Sequence, residues 1–154
     1  MLWPSAYNGG FPLRAYAYLH HYFVVSSVRQ DRSRIIDPLG AELVQTDQRL
    51  NMVYRDINLD FAVSHWDFNY SVPDAILKRY GARVRVSSER DSAHFMVEPM
   101  DSSITVAALK EEFRFETTRE YHDRHRKAYA DLRAGHATPA QEAPHRDRPQ
   151  YSRG

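Results

Sequence analysis

The chain has 154 residues, of which 42% are hydrophobic, 27% charged and 12% aromatic, the profile of one soluble globular domain rather than of a disordered or fibrous segment. Lys plus Arg number 21 against 20 for Asp plus Glu, so a net charge of +1 gives no overall electrostatic reason to expect nucleic acid or an anionic membrane as partner. With no cysteine at all, disulfides, thiolate metal sites and any cysteine nucleophile are excluded from these residues.

The first twelve residues carry no basic n-region and no sustained apolar core, and nothing in the chain approaches the roughly 18 apolar residues of a membrane span. A soluble, cytoplasmic protein is expected. Met1-Leu2-Trp3-Pro4-Ser5-Ala6 reads as the end of a buried strand running into a loop, with no preceding element to pair it, as if the chain starts mid-fold.

Asn8-Gly9-Gly10 marks a loop and Pro12 suits a first helical turn, predicting a helix over residues 12–21 with Leu13, Tyr16, Ala17 and His20 on one face. Residues 23–28 read as a buried strand. Arg34-Ile35-Ile36 and Glu42-Leu43-Val44-Gln45 flank Asp37-Pro38-Leu39-Gly40, whose Asp, Pro and Gly stand where a type I turn prefers them, so a hairpin is expected. Residues 51–57 alternate and are read as the next strand of the same sheet.

The aromatic-rich residues 61–70 show no clean period; Val72-Pro73-Asp74 opens a short helix closed by Gly81. Residues 83–88 and 93–97 are strand-like around Glu89-Arg90-Asp91-Ser92, a second hairpin, and Ser102 or Ser103 is expected to cap a helix running to Phe113. Residues 116–133 read as a charged surface helix with one sticky stripe of Tyr121, Ala128, Tyr129 and Leu132. From Gly135 the composition turns to Pro, Ala, Gln, His and Arg with almost no aliphatic residue, and a disordered tail over residues 135–154 is expected.

Chemistry-bearing arrangements are sparse. Glu111 and Glu112, being adjacent, point about 100° apart on a polar helix face and read as a solvated pair, not an acid–base dyad. His122 and His125 lack a third ligand and sit among Arg124, Arg126 and Lys127, so no metal is expected. His20 is read as inward and hydrogen-bonded, with His21 turned away. Ser5, Ser26 and Ser27 lack the Gly-x-Ser-x-Gly elbow, Lys78, Lys110 and Lys127 fall on exposed helix faces, and no phosphate- or dinucleotide-binding glycine pattern occurs. Arg146, Arg148 and Arg153 are diluted by Glu142 and Asp147, so nucleic acid is not the expected partner.

In order and spacing, four segments resemble the C-terminal half of the nitrilase, or carbon–nitrogen hydrolase, superfamily: Trp3-Pro4-Ser5-Ala6; Phe23-Val24-Val25-Ser26-Ser27; Ser33-Arg34-Ile35-Ile36-Asp37-Pro38-Leu39-Gly40; and Tyr54-Arg55-Asp56-Ile57-Asn58-Leu59-Asp60. Tyr16-Ala17-Tyr18-Leu19-His20 stands where that family carries Arg-Ala-x-Glu-Asn, and Val28 where it often has Asn, which marks a divergent subfamily. The resemblance implies an α/β fold, part of the αββα nitrilase-like sandwich (four-layer when dimeric), followed by a C-terminal α/β extension and the tail. It divides the chain into residues 1–60 of the hydrolase domain, a subfamily-specific extension over 61–134 and the tail over 135–154.

The chemistry implied is attack of a cysteine thiolate on an amide, nitrile or carbamoyl carbon, with a glutamate base and a lysine stabilising the developing charge and no cofactor or metal. Those three residues belong upstream of the stretch matching Trp3, so the chain is expected to be a fragment, inactive alone. By the resemblance, Trp3, Pro4, Ser5, Ala6 and Tyr7 border the substrate pocket, catalytic residues are none, and the full-length protein is a homo-oligomer acting on a small amide or nitrile. The alternative is a non-enzymatic interaction module pairing through an exposed sheet and helix.

Overall fold

The structure, a computed structural model, describes residues 1–29, 32–67, 69–88 and 93–137. The tail expected over residues 135–154 falls, from residue 138 onward, outside the described residues, as does the turn 89–92 of the second hairpin. Among the described residues the fold is mixed α/β with four α-helices and two small sheets, in two compact units, one ending at Leu59 and the other starting at Asp60.

The first unit is built as β1 (Leu2–Ser5), α1 (Gly10–His20), β2 (Val24–Val28), β3 (Arg34–Ile36) and β4 (Glu42–Gln45), giving a four-stranded sheet in the order β1-β2-β3-β4. β1 runs parallel to β2, with Leu2 opposite Val25 and Ser5 opposite Val28, and α1 is the crossover; β2–β3 and β3–β4 are antiparallel. The opening strand is therefore neither unpaired nor buried. It is an edge strand, with Leu2 80% exposed. Residues 51–57 form no strand, and Met52 and Tyr54 lie exposed.

Helix α1 buries a narrower stripe than its spacing predicts. Leu13 and Ala17 pack with Val24 and Ile36, whereas Tyr16 and His20 are exposed, and His20 stacks between Tyr16 and Tyr22 with centroids 6.1 and 5.7 Å away. His20 is thus an outer-face residue, and His21, read as turned away, is half-buried.

The β3–β4 hairpin is fixed by local chemistry. Asp37 Oδ1 accepts from the Leu39 and Ala41 amides, both at 2.9 Å, and Gly40 takes φ 81°, where a Cβ would stand 3.1 Å from the Arg14 carbonyl. Gly40→Ala is expected to destabilise the first unit by about 1–3 kcal/mol in urea unfolding, from positive-φ strain and that contact.

The second unit is a three-stranded antiparallel sheet in the order β5-β7-β6, from β5 (Ala62–His65), β6 (Val84–Ser87) and β7 (His94–Pro99). Helices α2 (Val72–Tyr80) and α3 (Val106–Phe113) contribute Val72, Ile76, Val106, Leu109 and Phe113 to a core with Ala62, Val84, Phe95 and Val97. Neither Ser102 nor Ser103 caps α3: Thr105 does, accepting from the Ala108 amide, while Ser103 bonds Asp101 through both its amide and its hydroxyl.

Helix α4 (Thr118–Arg133) opens with a capping box, Thr117 and Glu120 bonding each other's backbone amides. Its expected stripe is largely exposed, with Tyr129 and Leu132 in solvent and Tyr121 half-buried. No helix among the described residues is long and apolar enough to cross a membrane.

Candidate functional site

Because β1 and β2 are parallel and β3 and β4 fold back on β2, one end of the first sheet gathers the segments that leave β1, β2 and β4 and enter β3. Trp3, Pro4 and Ser5 lie on β1, with Trp3 and Ser5 half-buried and Pro4 exposed; Ala6 and Tyr7 follow in the loop, both exposed, and Ser5 Oγ accepts from the Tyr7 amide.

The loop continues under firm control. Asn8 Oδ1 accepts from the Gly10 amide, and the Asn8 and Gly10 carbonyls take hydrogen bonds from Nη2 of Arg34, at 2.6 and 3.0 Å. Arg34 is buried in β3, and its Nη1 binds Glu42 Oε1 on β4. A planar, permanently charged fork suits two carbonyls and a carboxylate together. Arg34→Met leaves three acceptors unmatched, and a loss of about 3 kcal/mol of stability by denaturant titration is expected.

At this end of the sheet a cleft of about 510 Å³ is lined by Val28, Arg29, Ser33, Thr46, Asp47, Gln48 and Asn51. A smaller cavity of about 230 Å³ shares Ser33, Thr46 and Asn51 and continues along Val25, Ile35 and Val53. None of Trp3, Pro4, Ser5, Ala6 or Tyr7 lines either space.

The second unit holds a different polar centre. His65 is only 5% exposed and sits on the sheet face that carries α4, its ring 3.9 Å from the Tyr121 ring and its Nε2 3.8 Å from Glu116 Oε2. Glu116 is gripped by both Nε and Nη2 of Arg124, at 3.0 and 2.9 Å, and Asn69 Nδ2 donates to the His65 and Glu116 carbonyls. At 3.8 Å the Glu116 contact is too long for a good hydrogen bond, and among the described residues neither ring nitrogen of His65 has a closer polar partner.

Burial pushes the His65 imidazole below its ordinary value, outweighing the pull of Glu116 and Asp67 toward the charged form. With the imidazole biased toward its neutral form and Glu116 forked by Arg124, this centre ties α4 to the sheet. Residues 61–70 showed no usable period, so nothing local pointed to His65, although Thr117-x-x-Glu120 already places Glu116 ahead of the helix.

The other sequence candidates are scattered. Glu112 pairs with Arg79 and Tyr80, Lys110 with Glu120 and Lys127 with Asp131, and His122 is exposed while the His125 ring rests 4.0 Å from that of Tyr121. No group of three or more metal-ligating side chains occurs among the described residues. Comparison with family models, with curated proteins and with solved structures returned no match to the chain.

Since the folded state resists protonating His65, the unfolded state binds that proton first as the pH drops below about 6.5. Stability of the second unit is therefore expected to fall across that window. In paired thermal melts from about pH 7.5 to pH 5, His65→Gln should show a shallower decline than the parent chain, and parallel slopes would refute this account.

Proposed function

We propose that the first unit is the C-terminal part of a carbon–nitrogen hydrolase domain of the nitrilase type. In this reading it supplies one wall and part of the supporting sheet for a site that cleaves a C–N bond in an amide, nitrile or carbamoyl compound. The observation that carries the reading is the continuity of β1, α1, β2 and the β3–β4 hairpin in one sheet, in the order of the first three segments bearing the resemblance. The fourth segment, residues 54–60, follows β4 without joining the sheet.

The arrangement suits a supporting role. β1 lies at the sheet edge with its outer side unpaired among the described residues, which is where a further strand adds. The loop bearing Ala6 and Tyr7 leaves the C-terminal end of a parallel strand that closes with Ser5, the end at which open α/β sheets place their ligands. The chain contains no cysteine, so in this reading the thiolate is supplied by another segment, and by the resemblance the glutamate and lysine come with it.

Two measurements test the reading. Purified chain is expected to release no ammonia from amides or nitriles, and release would overturn the assignment of catalysis elsewhere. Reading the gene in frame ahead of the Met1 codon should reveal Glu, Lys and Cys codons at the family's spacing; a stop codon there, with no such run, overturns the proposal.

A second reading, a non-enzymatic pairing module, is favoured by the large apolar side chains that α1 leaves in solvent, Phe11 and Leu19, and separately by the open edge of β1. It requires a discrete dimer or complex in sedimentation at micromolar concentration, and a stable monomer counts against it.

A further inference from the structure

The cleft at the C-terminal end of β2 has a donor-rich lining. Ser33 Oγ accepts from the Val28 amide at 3.0 Å, and Thr46 Oγ1 accepts from the Ser33 amide at 2.9 Å. Each hydroxyl oxygen is thereby held by the backbone with its own proton left over, and Thr46 is only 4% exposed. Arg29, an exposed residue, lines the same cleft, and among the described residues it makes no ion pair, not even with Asp47 on the same lining. Gln48 and Asn51 also line it.

Donors of this kind at fixed positions beside a forked cation match a carboxylate. A dianion is less well served, because the Asp47 carboxyl is held below the usual range by the Leu50 and Arg49 amides and so stays negative. Among the described residues one cation and one anion stand on the wall of a single cleft without forming an ion pair, and together they complement a ligand that carries both charges. About 510 Å³ is ample for a small metabolite.

We propose that this cleft is a binding site for a small amino-acid-like zwitterion, with Arg29, Ser33 and Thr46 holding its carboxylate and Asp47 its ammonium group. The site stands on the first unit alone and holds whether or not that unit belongs to a hydrolase.

The test is a titration of the isotope-labelled full chain, followed by amide NMR, with glycine, acetate and inorganic phosphate as separate probes. Glycine is expected to shift the amides of Ser33, Thr46 and Asn51 saturably, acetate to do so more weakly, and phosphate least. Arg29→Met should weaken glycine binding by about tenfold, while Asp47→Asn, which keeps the Oδ1 acceptor of its turn, should bring glycine down to the acetate level. Arg29→Lys, keeping stem and charge, serves where the Met variant loses amide dispersion, and a several-fold weakening is expected. Phosphate binding tighter than glycine, saturation at other amides, or affinity unchanged in the folded Arg29 variants would each overturn the proposal.

Discussion

The first unit depends on one buried guanidinium. Arg34 projects from the short central strand β3 and bonds the Asn8 and Gly10 carbonyls on one side and Glu42 on the other. Remove it, and the loop between β1 and α1 has nothing on β3 to close against. The parallel β1–β2 pair needs that loop, because a parallel strand is reached only through a crossover and α1 is its crossover. Gly9 and Gly10, at φ 70° and 52°, let the backbone turn so that two carbonyls converge on one cation. The constraint runs from one side chain through loop and helix to the end of the sheet at which the cleft opens.

The second unit treats buried charge in a different way. Glu98 on β7 and Glu116 before α4 are both nearly excluded from solvent, and each is held by two nitrogens of an arginine that keeps part of its surface in water: Arg85 for the first, Arg124 for the second. An anion desolvated beside a half-hydrated cation avoids much of the penalty of burying both ions. It also makes the arginine hard to lose, since its removal leaves a naked carboxylate. Arg124 and Tyr121, one turn apart on α4, close over Glu116 and His65 together, and so a helix with no fully buried apolar side chain is held to its sheet by an ion pair and a ring contact.

Much of the fold was legible because its signals are local. The Asp37-Pro38-Leu39-Gly40 turn, α2 between Val72 and Tyr80 and the strands of the second hairpin each follow from residues a few positions apart. Errors arose where a partner decides. Residues 51–57 alternate as a strand does, but no strand among the described residues pairs with them, and Met52 and Tyr54 remain in solvent. β5 is covered on both faces, so Ala62-Val63-Ser64-His65 has no alternation to display. His20 has core spacing, yet a short helix needs only Leu13 and Ala17 inside and leaves His20 to stack with tyrosines.

The polar sites were illegible for the same reason at longer range. Ser33 and Thr46 lie thirteen positions apart and belong to different strands' ends; only the antiparallel return of β4 along β3 brings one hydroxyl to the other's amide. A near-zero net charge likewise says little about ligands, since Arg29 and Asp47 cancel in the count while standing on one cleft wall with no ion pair among the described residues. What a bound molecule meets is the local arrangement of charge, and that is written in the register of the hairpin rather than in the composition of the chain.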